Sequence, residues 1–149
     1  MKTKMTYPGV GCAVMLIRGG KVLLGHRHED PKKADSMLNG AGTWTLPGGK
    51  MDFQERPKEC ARREAKEETG MDVGQVELIS VSNDRVEHAH FVTLGFKSTD
   101  FRGEPMVMEP DEITQWKWFS IGSTPAKMFP PARKIIENYT GKNLLHEDD

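Results

Sequence analysis

Arg56-Pro57-Lys58-Glu59-Cys60-Ala61-Arg62-Arg63-Glu64-Ala65-Lys66-Glu67-Glu68-Thr69-Gly70 reads as one helix followed by its stop signal. Pro57 suits a first helical turn, where its missing N–H has no partner to lose. Gly70 suits the left-handed residue just past the end. At about 100° per residue, Glu64, Glu67 and Glu68 project from one side, beside the small residues Ala61 and Ala65. Glu67 and Glu68 each lie one turn from Glu64, and like charges so spaced repel by roughly 0.2–0.5 kcal/mol each. The repulsion grows if Ala61 and Ala65 seat the helix on a sheet and draw the carboxylates into a lower dielectric. Clustered hard oxygens of this kind suit Mg2+ or Mn2+. A solvated charged face is the competing reading. Against it, the lysines and arginines mostly take the opposite arc, and no bulky apolar stripe explains how the helix is attached.

Working outward, Leu46-Pro47-Gly48-Gly49 precedes the helix as a tight turn whose glycines allow close backbone approach to a ligand. A helix N-terminus behind it offers unpaired N–H groups, which favour phosphate. Upstream, Cys12 to Ile17 is an apolar strand, Gly19-Gly20 a hairpin turn, and Lys21 to Gly25 the returning strand. His28 to Gly42 is polar and aperiodic, an exposed loop, and Trp44-Thr45-Leu46 is a short strand stopped by Pro47-Gly48-Gly49. Downstream, Val76 to Val81, His88 to Phe96 and Ile113 to Phe119 read as strands, and Pro130-Pro131 opens a last helix that Gly141 ends. Strands, helix, strands, helix make a mixed α/β domain with helices packed on a sheet.

The chain of 149 residues reads as a single domain, 1–149, without repeat or linker. Its 21 Lys plus Arg balance 22 Asp plus Glu, which excludes a strongly basic nucleic-acid binder and an acidic disordered tail protein. No apolar run approaches the roughly 20 residues of a membrane helix, and no secretory signal is visible. Cys12 and Cys60 fall inside regular elements and read as reduced packing residues. The expectation is a soluble cytoplasmic protein with no membrane partner.

Gly49, five residues, Glu55, seven residues, then Arg63-Glu64-Ala65-Lys66-Glu67-Glu68-Thr69-Gly70-Met71 resembles the box of the Nudix hydrolases, here 49–71. Every charged and glycine position of that pattern is present, and Ala65 is smaller than the usual Leu, Ile or Val. Gly42 to Gly49, Glu59-Cys60-Ala61 and Trp116-Lys117-Trp118 resemble the branch acting on nucleoside triphosphates. The resemblance implies an α/β/α sandwich with a mixed sheet and a loop–helix–loop box. It implies Glu64, Glu67 and Glu68 as metal ligands, with the Gly49 or Gly48 carbonyl completing the shell, and Mg2+ as cofactor with Mn2+ able to substitute. Glu67 or Glu68 would orient or deprotonate the attacking water, while Glu55 and Arg63 would pair to fix the loop against the helix. Gln54 stands where this branch often has Gly, so the loop before Glu55 is expected to run differently.

Outside the box, Arg27 lies just past a strand, where it either reaches a terminal phosphate or is a solvated strand-end residue. Trp116 and Trp118 share a strand face; one stacks on a base, or both belong to the core. Glu109 and Glu112 flank Pro110, either as a plain acidic turn or as the additional glutamate that relatives use for catalysis or metal binding. His88 and His90 share a face without an evident third ligand, and Glu147-Asp148-Asp149 read as a solvated tail.

A divalent cation neutralises triphosphate oxygens and lowers the pKa of bound water. The leading expectation is therefore hydrolysis of a nucleoside triphosphate to a monophosphate and pyrophosphate, removing damaged or surplus nucleotides. The expected partner is a nucleotide, not polymeric nucleic acid, and exposed strand edges permit a homodimer without requiring one. Hydrolysis of ADP-ribose or another nucleoside diphosphate derivative is the alternative enzyme. Such relatives often carry a proline beyond the box, at a position near Glu87 here, and no proline occurs between Asp72 and Gly103. A non-catalytic nucleotide-binding module is a third reading, but such modules commonly lose box glutamates and this chain keeps them.

Overall fold

In the computed structural model, which describes residues 3–149, β1 (Gly9–Arg18) turns through Gly19 and Gly20 into β2 (Lys21–Arg27). Both glycines hold positive φ, +57° and +75°, a conformation that a Cβ disfavours. Side chains of β1 alternate between two faces. Cys12, Val14 and Leu16 join one core cluster with Cys60, Ala61 and Ala65 of α1 (Pro57–Thr69). Ala13 and Met15 join the other with Ala132, Ile135 and Ile136 of α2 (Pro130–Gly141). A helix thus covers each face of one mixed sheet, the α/β/α layering that the box implies. Both cysteines are buried and free.

The remaining strands are β3 (Trp44–Thr45), β4 (Gly48–Lys50), β5 (Asp72–Val73), β6 (Glu77–Val86), β7 (Ala89–Ser98), β8 (Phe101–Arg102), β9 (Ile113–Ser120) and β10 (Leu145–His146). The main sheet runs β10-β6-β7-β1-β2-β3, with β4 also on β1 and β9 also on β2; β5 and β8 form a separate ribbon. β1 lies parallel to β7 along its length but pairs with β2 only at Ile17–Val22 and Arg18–Lys21. Towards its start it pairs instead with β4, Cys12 opposite Gly49 and Ala13 opposite Gly48, while β2 departs with β9. Where the two strands part, the sheet opens a cleft.

One local expectation is corrected. The strand β3 does stop before Pro47, but Gly48 and Gly49 continue into β4 rather than a tight turn. A Cβ on Gly48 would lie 2.3 Å from the Cys12 carbonyl oxygen, so the glycine serves close strand approach. α2 ends at Gly141 as expected, and Lys142 caps it in the left-handed region at φ 56°. β10 pairs with Val81 and Ser82 of β6, and beyond it Glu147, Asp148 and Asp149 are exposed, with Asp149 standing 3.2 Å from the Lys134 ammonium. Among the described residues no helix is long and apolar enough to cross a membrane.

Candidate active site

α1 buries only small side chains apart from its ends, which brings its backbone close to β1 and β4 and sets the height of its carboxylates. Gly70 closes it at φ 76°, its N–H donating to the Lys66 carbonyl. The loop before α1 is held by Arg63. Its guanidinium donates to both oxygens of Glu55 at 2.7 and 3.0 Å, to Glu64 at 2.9 Å, to Glu67 at 3.2 Å and to the Lys50 carbonyl at 3.1 Å. These charge-assisted bonds bring Glu55 down to about pH 2 and raise Arg63 above the ordinary arginine range. Gln54 adopts a glycine-like conformation, φ 66°, despite its side chain, at a steric cost of roughly 1–2 kcal/mol.

Glu68 lies deeper. Its side chain accepts the Gly48 N–H at 2.7 Å, and its backbone carbonyl accepts Trp116 Nε1–H at 3.2 Å. Burial pushes its pKa well up, against the Gly48 bond, with Glu64, Glu109 and Glu112 adding negative charge. One carboxylate oxygen each from Glu68, Glu109 and Glu112 lies within 4.8 Å of the others. Glu109 is also pushed up, by burial and then by Glu112, and Glu64 by burial. Carboxyls that converge at such a cost in charge, with only hard oxygens to offer, fit a small divalent cation. The acidic turn around Pro110 is a turn, with Glu112 N–H donating to Glu109 O at 2.9 Å. It is also the arm that carries both glutamates to Glu68.

The expected ligands Glu64, Glu67 and Glu68 have different neighbours. All three line the cleft with Gly48 and Gly49, but Glu64 and Glu67 meet Arg63 while Glu68 meets the second acidic arm. Gly48 donates its N–H to Glu68. A Cβ on Gly49 would stand 2.6 Å from the Glu64 carboxylate, so Glu64 rests directly on that glycine.

One substrate-binding expectation is corrected: neither Trp116 nor Trp118 lines the cleft. Both pack against the α1-side core, Trp116 over Gly25 and Trp118 stacked on Phe101 at 6.1 Å. The strand face they share is the face that α1 covers. Arg27 is no solvated strand end: it is 7% exposed, donates to the Ala34 and Asn39 carbonyls at 2.8 Å each, and lies 4.6 Å over the Phe129 ring. Burial lowers its pKa. It lines the cleft, and its contacts hold the 28–42 loop along one wall. His90 bonds Asn83, and among the described residues no metal-ligating group includes His88 or His90.

The cleft has a volume of about 580 Å3, within the range of small-molecule sites. Besides the carboxylates it is lined by Gly11, Phe91, Thr93, Phe129 and Ala132. None of these is legible as a site residue in the sequence. Phe91 and Thr93 look like ordinary strand residues, and Phe129 is marked only by the Pro-Pro pair after it.

A family model described as the NUDIX domain matches residues 5–139. The crystal structure of a MutT NUDIX hydrolase from Burkholderia pseudomallei superposes with a TM-score of 0.79 at 31% identity, covering 89% of this chain and 98% of that one. The solution structure of the E. coli ORF135 protein shares the fold, with a TM-score of 0.71 at 24% identity over 89% of each chain. Among curated proteins, an NAD-capped RNA hydrolase NudC from Pseudomonas entomophila is 29% identical over 93% of this chain and 48% of its own length. An RNA pyrophosphohydrolase from Mesorhizobium japonicum is 28% identical over 89% of this chain and 88% of its own. The chain spans about half the length of the NudC proteins it matches.

Proposed function

The chain belongs to the NUDIX family, and from that premise we propose that it is a divalent-metal-dependent pyrophosphohydrolase that splits a nucleoside triphosphate into a monophosphate and pyrophosphate. The observation that carries this reading is the pair of acidic arms, α1 and the turn around Pro110, meeting in a cleft of nucleotide size. Glu68, Glu109 and Glu112 would hold Mg2+, or Mn2+ in its place, with Glu64 and Glu67 lining the same cleft. The ion, when bound, would screen the phosphate charges and polarise a water. Arg63 holds Glu64 and Glu67 in place through Nη1 and ties their helix to the loop through Glu55. Glu67, on the exposed rim, or Glu68 takes the proton of the attacking water as its oxygen bonds to phosphorus. One P–O–P bridge breaks, and pyrophosphate leaves with the bridging oxygen.

A second reading is favoured by the curated relatives, whose names specify NAD-capped RNA and RNA pyrophosphate chemistry. On that reading the same anhydride chemistry acts at an RNA 5′ end, and the expectation of no polymeric nucleic acid falls. ADP-ribose remains in the comparison as a nucleoside diphosphate derivative. One panel decides: triphosphates, ADP-ribose, dinucleoside polyphosphates, NAD-capped RNA and 5′-triphosphate RNA, with products identified with Mg2+ and with chelator. Pyrophosphate and monophosphate from triphosphates, abolished by chelator and reduced about 10²-fold or more by Glu67→Gln or Glu68→Gln, is the expected result. Turnover untouched by both substitutions would overturn the assigned roles.

A further inference from the structure

The α2 face carries a buried charge pair that the reaction above does not use. Asp84 on β6 and Lys134 on α2 are 3% and 1% exposed. Lys134 Nζ stands 3.3 Å from Asp84 Oδ1 and donates to the Asn83 carbonyl at 2.8 Å. Asp84 Oδ2 accepts two hydroxyls, from Ser82 at 2.9 Å and from Thr93 at 2.7 Å. A pair this deep surrenders its hydration, and well-packed apolar residues would fill the same volume at least as stably. Stability is therefore a poor account of it.

Thr93 connects the pair to the cleft. It lies on β7 directly beside Gly11 of β1, and both line the cleft wall. A Cβ on Gly11 would sit 3.6 Å from Thr93 Oγ1, so the glycine leaves that side of the hydroxyl uncovered. A threonine hydroxyl has one proton to donate and two lone pairs. Asp84, faced by an ammonium and a second hydroxyl donor, takes that proton, and Thr93 has only lone pairs left for the cleft. The Phe91 and Phe129 rings line the same cleft, as do the carboxylates. A metal-bound polyphosphate belongs at the carboxylates, which leaves the β1–β7 wall for the base.

We propose that Thr93, its proton committed to the Asp84–Lys134 pair, is a specificity-determining acceptor, so that the cleft selects a base presenting an N–H donor to it. The exocyclic amino group projects furthest from the ring and is the donor expected to reach the wall. The inference rests on the nucleotide reading above and goes further, because it assigns the base-recognising group and its polarity. A site built around such an acceptor penalises a base lacking the donor, since the lone pair then stays unpaired away from water.

The test pairs adenosine, cytidine and guanosine nucleotides with the analogues in which hydrogen replaces the amino group. Turnover of the triphosphates is measured beside direct binding of the monophosphates in Mg2+. Wild-type protein should prefer the amino member of its best-bound pair about tenfold or more, in KM and Kd and not in kcat. Thr93→Val should erase the preference, and Thr93→Ser should restore it. Asp84→Ala combined with Lys134→Met removes both charges and the acceptor, frees the hydroxyl proton and should bring the preference to near parity. A wild-type protein indifferent to the amino group, or a preference that survives in Thr93→Val, overturns the inference. Binding with the amino preference but without turnover of any triphosphate would sink the functional reading and leave this inference standing.

Discussion

Gly48 and Gly49 are neighbours on β4, yet alanine at each should fail differently. At Gly49 the added Cβ would lie 2.6 Å from three carboxyl atoms of Glu64. Ordinary contact begins near 3.4 Å, so the carboxylate must retreat by roughly 1 Å, and a misplacement of that size costs about 10²-fold in rate. The Glu64 bond to Arg63, 2.9 Å long, is stretched or lost with it. The backbone is not forced, because the obstacle is the end of a flexible side chain and Gly49 has no positive φ. The fold should lose about 1 kcal/mol at most. At Gly48 the Cβ meets the Cys12 carbonyl at 2.3 Å and Ala13 backbone and side chain at 2.8 Å. Only strand separation relieves that, at about 2–3 kcal/mol or more, a fall in Tm on the order of 10 °C. Thermal melts of both variants, with kcat for the best substrate of the panel, separate the two effects. Full activity in Gly49→Ala with an unchanged Tm would show that the position of Glu64 against that glycine is irrelevant to turnover.

Mg2+ should raise Tm more at about pH 8 than at about pH 5.5, because the cation takes ionised carboxylates. The sign follows from Glu68, whose folded pKa lies above its unfolded value of 4.5. Its contribution favours the fold at low pH and is lost as pH rises through the raised value, and metal binding reverses that loss. An equal Mg2+ shift at both pH values, followed by calorimetry, would contradict the site. Glu55 acts in the opposite direction: its pKa, brought from 4.5 to about 2 by Arg63, gives stability present above pH 4.5 and lost as pH falls towards 2. Glu55→Gln should flatten the acid limb of a denaturant-midpoint profile across that window. Trp116→Phe removes the bond to the Glu68 carbonyl at 3.2 Å and should cost about 1 kcal/mol of stability with KM unchanged. A KM raised by fivefold or more in that variant would return the ring to the base site.

The acidic side of α1 was legible because a helix repeats locally: Glu64, Glu67 and Glu68 share a flank wherever the helix is packed. The spacing of Glu55 and Arg63 carried a long-range pair only through resemblance to a known box, and no local rule supplies it. Trp116 and Trp118 show where strand periodicity stops helping. Alternation put them on one face but could not say whether that face met α1 or the cleft. Arg27 likewise read as a strand-end cation until the 28–42 loop wrapped it and Phe129 lay beneath it.

The chain's local patterning determined its elements, their approximate ends and one flank of charge, since those depend on neighbours a few bonds away. Strand pairing decided the rest. β1 parting from β2 opened the cleft, the turn around Pro110 reached Glu68, and β6, β7 and α2 brought Asp84, Thr93 and Lys134 together. Those meetings join residues tens of positions apart, and only the register of hydrogen-bonded strands, specified by which faces are buried on both sides of the sheet, determines which of them touch.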